Sequence, residues 1–428
     1  MFRSARCFAI PALRPVEWPR IWQPDPSDSL ATARQHYDND RMQEKSDTVF
    51  NLGLADHQYR GRPFGIKLKD RLSHLYLIGQ SGTGKSTLLA NLALQDATAG
   101  IGFCLIDPHG DLAAMLSARL AVPHHYWDVA DPACRYGYNP LTRVPLSLRP
   151  LVTSGLIDTL KKQWADAWGA RMEHLLRYAV LALLDQPQAD LRDIVRLYVD
   201  KEFRKAVVAG IRDEQVRAFW TSEFPSMNYV NAIDGVAPIA NKLGAFLAHP
   251  VVRAAICEPE QPLRFRRIMD QGEIVIVNLA KGRLGTDMAN VLGGLITAMV
   301  MHAAFSRHDS PEQTRRPFIL YVDEFPSFTT QAFANLLPEA RKYGLGLTLA
   351  HQHVSQVESA VFDAVLGNAG TIMSFRVGAN DAPIIARQLD EPDAQGLLRL
   401  PNHHALLQLM VDGKKTRAFT ARTWPLAI

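Results

Sequence analysis

Apolar and polar positions follow two different patterns along the chain. Residues 75–78 form a short apolar run, followed by a glycine-rich turn and a helical pattern from Lys85 to about Asp96. A second run, residues 102–106, ends at a polar cluster that begins with Asp107. Short apolar runs that alternate with helices are typical of parallel strands buried on both faces of a sheet. The pattern therefore predicts an α/β fold with a mostly parallel sheet flanked by helices.

The strand pattern is interrupted in the middle of the chain. Between residues 150 and 267 strand signals are missing, and apolar residues recur with the period of a helix, about 3.6 residues. The clearest series is Met172, Leu175, Leu176, Ala179, Val180 and Leu183. We therefore predict an all-helical domain, residues 150–267, inserted into a sheet-forming domain made of residues 51–149 and 268–428.

The two ends of the chain differ. Residues 1–50 are rich in Pro, Asp, Ser, Gln and Arg and show no steady period, so we predict a poorly structured arm. At the other end, residues 405–411 and 416–422 alternate in polarity around Asp412-Gly413, which predicts a β-hairpin. The remaining strands are predicted at residues 126–129, 273–279, 318–322, 346–350 and 371–377.

Composition narrows the class of protein only slightly. The 47 Lys and Arg residues against 43 Asp and Glu give a net charge of +4, which permits a nucleic-acid partner without indicating one. The four cysteines form no C-x-x-C pair, which argues against disulfides or zinc and favours a reducing cytoplasm. The longest apolar stretch, residues 292–305, is shorter than the roughly 18 residues that cross a bilayer. We therefore expect a buried helix there and no intrinsic membrane span.

The glycine-rich turn after the first predicted strand carries the clearest chemistry. It matches G-x-x-x-x-G-K-[ST], the P-loop motif, and a helix follows it as the mechanism requires. Backbone N–H groups of such a turn and the positive end of the helix bind phosphates. Lys85 is expected to reach the outer phosphates, and Ser86 to bind Mg²⁺. The predicted site for ATP comprises Gly79, Gln80, Ser81, Gly82, Thr83, Gly84, Lys85, Ser86 and Thr87.

Two adjacent acids follow the strand predicted at residues 318–322. Asp323 is placed to complete the Mg²⁺ site, directly or through water. Glu324 can accept a proton from the water that attacks the γ-phosphate. The pair therefore predicts ATP hydrolysis rather than nucleotide storage. The alternative is a solvated acidic turn after a buried strand.

Three weaker candidates each have a second interpretation. Gln352, after the strand at 346–350, is a candidate γ-phosphate sensor, or a polar cap of the strand. His351 and His353 lack a third metal ligand nearby, so a metal site is not favoured. Arg341, late in a predicted helix, suits an arginine finger in a ring, or the C-terminal end of that helix. A basic cluster can be interpreted as a DNA-contact site or as an ordinary solvent-exposed face. It consists of Arg264, Arg266 and Arg267.

Two further motifs extend the comparison beyond the P-loop. Asp107-Pro108-His109-Gly110-Asp111 ends the second predicted strand, and Glu339-Ala340-Arg341-Lys342-Tyr343-Gly344 precedes the strand at 346–350. With them, the chain resembles the HerA/FtsK superfamily of ring ATPases and, within it, the type IV coupling proteins of conjugation. The likeness runs from about Asn51 to the C-terminus and rests on residues 78–89, 105–112, 276–279, 281–282, 321–325, 339–345 and 349–352.

This resemblance implies a RecA-like P-loop NTPase core with an inserted all-helical domain. It also implies a homo-oligomer, a hexameric ring with DNA in its channel and ATP at the subunit boundaries. Within such a ring, Arg341 is expected to be a finger that reaches the neighbour's ATP. Gln352 is expected to be a sensor, and Asp107 a neighbour of the active site.

The function implied is ATP-dependent DNA translocation in conjugative transfer or related DNA mobilisation. Relaxosome or secretion-channel proteins are the partners expected for such a motor. Coupling proteins usually begin with membrane-spanning helices, and this sequence shows none. The expected location is therefore the cytoplasm, with contact to the inner membrane only through a partner.

Two other functions remain open at this stage. An ATP-driven motor for protein secretion or assembly would have the same hydrolytic core. A nucleotide-dependent switch without DNA is the other alternative. The Asn241-Lys242 pair is followed by Leu243-Gly244 and lacks the aspartate that reads guanine in N-K-x-D proteins, which argues against a GTP-type switch.

Overall fold

An eleven-stranded sheet runs through the computed structural model, which describes residues 47–56, 61–142, 144–227 and 229–426, with backbone alone for residues 229–234. The strands are β1 (Val49–Ala55), β2 (Pro63–Lys67), β3 (Leu75–Ile78), β4 (Gly102–Asp107), β5 (His125–Asp128), β6 (Tyr136–Gly137), β7 (Gln261–Pro262), β8 (Ile274–Asn278), β9 (Phe318–Asp323), β10 (Leu345–His351), β11 (Thr371–Ser374), β12 (His404–Gln408), β13 (Met410–Val411), β14 (Lys414–Lys415) and β15 (Phe419–Thr423). From edge to edge the strand order of the sheet is β2-β1-β15-β12-β11-β3-β10-β9-β4-β8-β5, and two short ribbons pair β13 with β14 and β6 with β7.

The seven strands from β11 to β5 in this order are all parallel to one another. At the other edge, β12, β15, β1 and β2 are antiparallel additions. The predicted α/β fold with a mostly parallel sheet is therefore confirmed. Since carboxyl ends of parallel strands lie at one edge, the residues that follow β3, β4, β9 and β10 are brought together.

Helices cover both faces of the sheet. They are α1 (Leu68–Arg71), α2 (Lys85–Thr98), α3 (Asp111–Arg119), α4 (Arg149–Gln163), α5 (Ala170–Leu183), α6 (Leu191–Val199), α7 (Lys201–Gly210), α8 (Glu214–Ala218), α9 (Phe224–Ser226), α10 (Tyr229–Leu247), α11 (Pro250–Cys257), α12 (Phe265–Gln271), α13 (Lys281–Leu284), α14 (Thr286–Phe305), α15 (Gln331–Ala340), α16 (Ser359–Asn368), α17 (Ala382–Gln388) and α18 (Ala394–Leu398). Short 3₁₀ turns include Phe325–Ser327, Arg341–Tyr343 and Val354–Gln356.

Side chains of the central strands alternate between two hydrophobic cores. Leu320 and Val322 of β9 belong to one core, whereas Ile319 and Tyr321 belong to the other. This alternation follows from the two-residue period of a strand, and burial on both faces explains the continuous apolar runs. The first core continues from the sheet into helices α4 to α6, where Leu175 is fully buried.

Helices α4 to α11 occupy the chain between β6 and β7. The described residues of this helical segment contain no strand. They lie where the inserted domain, residues 150–267, was predicted, and they belong with the sheet to one compact unit, Glu44–Ile428. The predicted helical character of this segment is confirmed. The domain boundaries at residues 150 and 267 stay a prediction.

The N-terminal boundary differs from the prediction. Of the predicted arm, residues 1–50, all but the last four lie outside the described residues. Val49 and Phe50 belong to β1 and not to an arm, because β1 pairs with β2 and β15. Val49 and Phe50 pair with Lys67 and Ile66 of β2, and the other end of β1 pairs with β15 at the far end of the chain.

Helix α14 contains the apolar stretch noted in the sequence. Residues 286–309 are long and apolar enough to cross a membrane, but 72% of the most apolar window is buried inside the protein. Core helices pass the same test of length and composition. The predicted buried helix is present.

A buried polar cluster ties the helix after the glycine-rich turn to β9. Arg71 donates to both carboxylate oxygens of Asp96, on α2, and its Nη2 also donates to the hydroxyl of Tyr321 at 2.7 Å. The Tyr321 hydroxyl in turn donates to Asp96. Buried charges are tolerated when they are paired and hydrogen-bonded, as here. The cluster fixes α2 relative to the strand that ends at Asp323.

Candidate active site

The glycine-rich turn joins the end of β3 to the start of α2. Gly82 and Gly84 have φ angles of 73° and 121°, a range that residues with a side chain rarely adopt. Gly84 directly precedes α2, whose first N–H groups have no partner within the helix and suit an anion. The Nζ of Lys85 donates to the carbonyl oxygens of Gly79 and Gln80. This is the backbone form that binds phosphates in P-loops.

Asp323 and Glu324 lie at the end of β9, and Gln352 follows the neighbouring strand β10. β9 and β10 are parallel neighbours, with Ala350 opposite Asp323. Asp323 is buried, and its Oδ1 accepts a hydrogen bond from the N–H of Glu324 at 3.1 Å. The Nε2 of Gln352 donates to Oε1 of Glu324 at 2.6 Å. The residues predicted as metal ligand, base and sensor therefore meet.

Glu324 has a backbone conformation that is uncommon for a residue with a side chain. Its φ is 51° and its ψ is 45°, in the left-handed region. Such conformations persist where the surroundings enforce them, and they cluster at functional sites. The carbonyl oxygen of Glu324 accepts a hydrogen bond from the N–H of Ser327 at 3.1 Å. Strand β9 thus ends in a sharp turn at the candidate base.

Burial and mutual repulsion shape the charges of this site. Burial raises the pKa of Asp323, and the nearby carboxylates of Glu324 and Asp107 raise it further, while Lys85 opposes the shift. Burial lowers the pKa of Lys85, against the attraction of Asp323 and Glu324. Acids crowded beside a single ammonium group are stabilised by additional positive charge. The site therefore favours a bound cation.

Ser86 and Asp323 are suitable ligands for Mg²⁺. This ion prefers oxygen ligands and takes several of them from water and substrate phosphates rather than from a protein cage. The serine and the aspartate line one cleft beside the phosphate-binding turn. Across the described ranges, no cluster of three His, Cys, Asp or Glu side chains is arranged to hold a metal ion alone.

Asp107 also lies at this edge of the sheet. Its Oδ1 accepts a hydrogen bond from the N–H of His109, and its Oδ2 accepts one from the N–H of Ala113, each at 2.9 Å. The carboxylate therefore holds the turn between β4 and α3, and it adds negative charge near Asp323. The predicted proximity of Asp107 to the site is observed, and its hydrogen bonds are those of a structural residue.

A cleft of about 800 Å³ unites these groups. Ligand sites commonly have volumes of roughly 300–1,000 Å³. Gly79, Gln80 and Thr83 of the predicted set do not line the cleft; they lie behind it, where the Thr83 hydroxyl donates to the Gln80 carbonyl oxygen at 2.7 Å. The residues that line it are Ser81, Gly82, Gly84, Lys85, Ser86, Thr87, Asp107, His109, Asp111, Leu112, Met115, Asp323, Glu324, Gln352 and His403.

The fold is that of the RecA-like P-loop NTPases. The bacterial conjugative coupling protein TrwBdeltaN70 is 15% identical, with 91% of each chain covered and a TM-score of 0.61. The plasmid coupling protein TrwB in complex with ADP and Mg²⁺ is 17% identical, covering 90% of this chain and 92% of that one, with a TM-score of 0.59. VirB4 of Thermoanaerobacter pseudethanolicus is 13% identical, covering 88% and 96%, with a TM-score of 0.61.

These likenesses confirm the resemblance to coupling proteins at the level of the fold. No protein-family model matches the sequence, and no curated protein sequence is significantly similar to it. The geometry of the cleft therefore carries the functional argument.

Arg341 lies away from the cleft of its own chain. It begins the 3₁₀ turn before β10, and its Nη1 donates to Oγ of Ser73, which comes shortly before β3. Both residues are therefore at the amino edge of the sheet, whereas the cleft is at the carboxyl edge. Gly344, with a φ of 73°, ends the turn in the predicted way. The exposed guanidinium of Arg341 does not reach the glycine-rich turn of the same subunit.

Two of the three basic residues considered for DNA contact, Arg266 and Arg267, are engaged within the chain. Arg266 pairs with Asp270 and Asp309, and Nε of Arg267 donates to Gln271 at 3.0 Å. Intramolecular pairing favours the interpretation of this cluster as a surface face.

His403 is a site residue that the sequence did not reveal. It precedes β12 with a φ of 64°, and its N–H donates to the Thr83 carbonyl oxygen at 2.8 Å. A Cβ added to Gly84 would lie 2.9 Å from His403 Nδ1. The side chain thus packs against the glycine-rich turn from a strand more than 300 residues later. The sequence offers no local signal for this contact, because it depends on the pairing of β12 with β11, the strand next to β3.

Proposed function

We propose that this protein is an ATP-driven motor that translocates DNA. One observation carries the proposal: Lys85, Ser86, Asp323, Glu324 and Gln352 line a single cleft at the carboxyl edge of one sheet. A phosphate-binding turn alone would suit a nucleotide store. The adjacent acids and the hydrogen bond from Gln352 to Glu324 supply the groups needed for hydrolysis.

Binding of ATP is assigned to the glycine-rich turn. The free N–H groups at the start of α2 and the ammonium group of Lys85 would hold the phosphates, after Lys85 exchanges its carbonyl partners for phosphate oxygens. Ser86 and Asp323 would hold Mg²⁺, which supplies positive charge to the phosphates when bound. TrwB, which shares the fold, is known in complex with ADP and Mg²⁺.

Hydrolysis is assigned to Glu324 and Gln352. Gln352 donates to Oε1 of Glu324, so Oε2 is the oxygen that accepts the proton of the attacking water. Glu324 has a left-handed backbone and lines the same cleft as the glycine-rich turn. Because Gln352 also lines the cleft, it would respond to the γ-phosphate and reorient the base. Loss of the γ-phosphate then changes the hydrogen bonding of both residues.

The motor would be a ring. In a hexamer with ATP at the subunit boundaries, the exposed Arg341 of one subunit would reach the cleft of the next, since it lies at the opposite edge of the sheet from its own cleft. DNA would pass through the channel, gripped by its phosphate backbone in a sequence-indifferent and salt-sensitive way. Conjugative transfer or related DNA mobilisation is the proposed process. Its proposed partners are relaxosome or secretion-channel proteins, and its proposed place is the cytoplasm, with a partner at the inner membrane.

The decisive experiment measures ATP turnover by the purified protein with and without single- or double-stranded DNA. We expect DNA to stimulate turnover, Lys85→Ala to abolish it, and Glu324→Gln to bind ATP without hydrolysing it. Turnover that DNA does not stimulate, with no DNA binding at low salt, would favour a motor that acts on protein. Turnover that survives Lys85→Ala would exclude this cleft as the ATPase site.

A further inference from the structure

The segment that follows Glu324 is held by a helix from another part of the chain. Residues 325–330 form a 3₁₀ turn and the N-terminal cap of α15, and here we name them the post-acid loop. The C-terminal end of α4, in the helical segment, lies against this loop. The contact joins the helical segment to the loop that directly follows the residue proposed as the catalytic base.

Lys162 donates most of the hydrogen bonds between α4 and the post-acid loop. Its Nζ donates to the carbonyl oxygens of Pro326 at 2.8 Å and Thr329 at 2.6 Å, and it pairs with Glu358 Oε1 at 3.0 Å. An ammonium group has three donor hydrogens, so these partners occupy all of them. Hydrogen bonds from a charged donor are roughly twice as strong as neutral ones. Gln163 adds a hydrogen bond from Nε2 to the Ser327 carbonyl oxygen at 3.1 Å.

The loop that these residues hold is continuous with the catalytic geometry. Phe325, directly after Glu324, is fully buried and packs edge-on against His351 with ring centroids 4.9 Å apart. Gln352 follows His351 and holds Glu324. A shift of the post-acid loop would therefore move both ends of the hydrogen bond between Gln352 and Glu324.

The face of α4 that carries Lys162 also packs closely onto α14. A Cβ added to Gly294 of α14 would lie 2.6 Å from Cγ2 of Thr159, and one added to Gly155 of α4 would lie 2.5 Å from His302. Such close approach leaves little freedom for α4 to slide relative to α14. The two helices would therefore move together, and such a movement would pull on the loop carbonyls through Lys162.

We infer that Lys162 is a positioning residue that couples the helical segment to Glu324. This inference rests on the proposed ATP hydrolysis at the cleft. A load or a partner that moves the helical segment would change the rate of hydrolysis through this contact. Lys162 does not touch the nucleotide cleft, so it acts on turnover and not on ATP binding.

The test compares Lys162→Met with Lys161→Met. Lys161 is the adjacent residue of α4, and its ammonium group pairs with Glu173 of α5, within the helical segment. We expect Lys162→Met to lower kcat by about 10- to 100-fold with little change in the KM for ATP, because small misplacements of catalytic groups have effects of this size. Lys161→Met should keep the wild-type kcat. Lys162→Arg, which retains charge and donors, should restore part of the loss.

Two further measurements separate positioning from general damage. Hydrogen exchange of the amides in residues 325–330 should become faster in Lys162→Met and stay unchanged in Lys161→Met, at equal melting temperature. The double variant of Lys162→Met with Gln352→Ala should lose less than the product of the two single losses, since both changes act on Glu324. If the loss of kcat in the double variant equals the product of the two single losses, the two residues do not act through a shared residue.

Failure of this inference is distinguishable from failure of the proposed function. A wild-type protein without ATP turnover would refute the proposed function, and hydrogen exchange in the post-acid loop would still test the contact. An active wild type with equal kcat and equal exchange in Lys162→Met and Lys161→Met would refute the coupling role alone.

Discussion

Gln352 holds Glu324 by a hydrogen bond of 2.6 Å from Nε2 to Oε1, across the ends of two neighbouring parallel strands. The residue proposed to sense the γ-phosphate and the residue proposed to activate water are therefore one unit. Gln352 consequently has two roles that experiments can separate, orientation of the base and response to nucleotide.

Replacement of Gln352 is expected to affect the chemical step. Gln352→Ala removes the donor that orients Glu324, so we expect kcat to fall by about 100-fold, in the range found when one oriented donor is lost from an active site. Steady-state kinetics should show little change in the KM for ATP, because the phosphate-binding turn is intact. Gln356→Ala is the control, since Gln356 bonds to the N–H of His353 and not to Glu324. Equal losses in both variants would contradict the role of Gln352.

Arg341 is expected to act between subunits. Arg341→Ala should lower kcat by about 10³-fold or more, the usual contribution of an arginine finger. Mixed with Glu324→Gln, it should regain part of the turnover, because some interfaces then combine an intact base with an intact finger. ATPase assays on verified mixed rings measure this recovery. Lys342→Ala, at the adjacent exposed position, is the control and should retain ATPase activity without any second variant. Absence of recovery in mixed rings would argue against Arg341 as an arginine finger.

Gly84 is expected to tolerate no side chain. Gly84→Ala would be strained at a φ of 121°, and its Cβ would crowd His403 Nδ1 at 2.9 Å. If the turn shifts to relieve this strain, a cost of roughly 1–3 kcal/mol to its phosphate-binding form corresponds to a loss of about 5- to 150-fold in ATP affinity. Calorimetric titration with ATP and Mg²⁺ measures it. Gly367→Ala, where the added Cβ meets nothing within 4 Å, should bind as the wild type does.

Asp96 is expected to be essential for stability. Asp96→Ala would leave the guanidinium of Arg71 buried and unpaired, and breaking a buried ion pair in this way costs about 3–5 kcal/mol. Thermal unfolding should show a clear fall in Tm. Asp166→Ala removes an exposed partner of Lys242 and should leave Tm nearly unchanged. A wild-type Tm in Asp96→Ala would show that the buried cluster is dispensable.

The parts of the site that the sequence predicted are those whose signals are local. The glycine-rich turn and the acids after β9 are each encoded within a few consecutive residues, and parallel strand order then brings their ends to one edge. Gln352 was predicted for the same reason, because it follows an apolar strand. The fold class also followed from local patterns, since buried strands and amphipathic helices differ in period.

The parts that the sequence did not predict depend on contacts between distant residues. Strand β1 exists because β15 and β2 pair with it, and the pairing of Val49 and Phe50 contradicts their assignment to an arm. His403 reaches the glycine-rich turn only after β12 has joined the sheet. Lys162 looks like any exposed lysine near a helix end, and its carbonyl partners lie more than 160 residues away. No periodicity or motif encodes such partners.

The position of β15 has a consequence for how the protein is made. This strand lies between β1 and β12, so one of the first described strands pairs with one of the last. When the glycine-rich turn of a nascent chain leaves the ribosome, β10, β11 and His403 have not yet been synthesised. All three flank that turn in the folded protein. Assembly of the ATP pocket must therefore wait until β12 has been synthesised, and nascent chains would expose unpaired strand edges to chaperones until β12 and β15 are available.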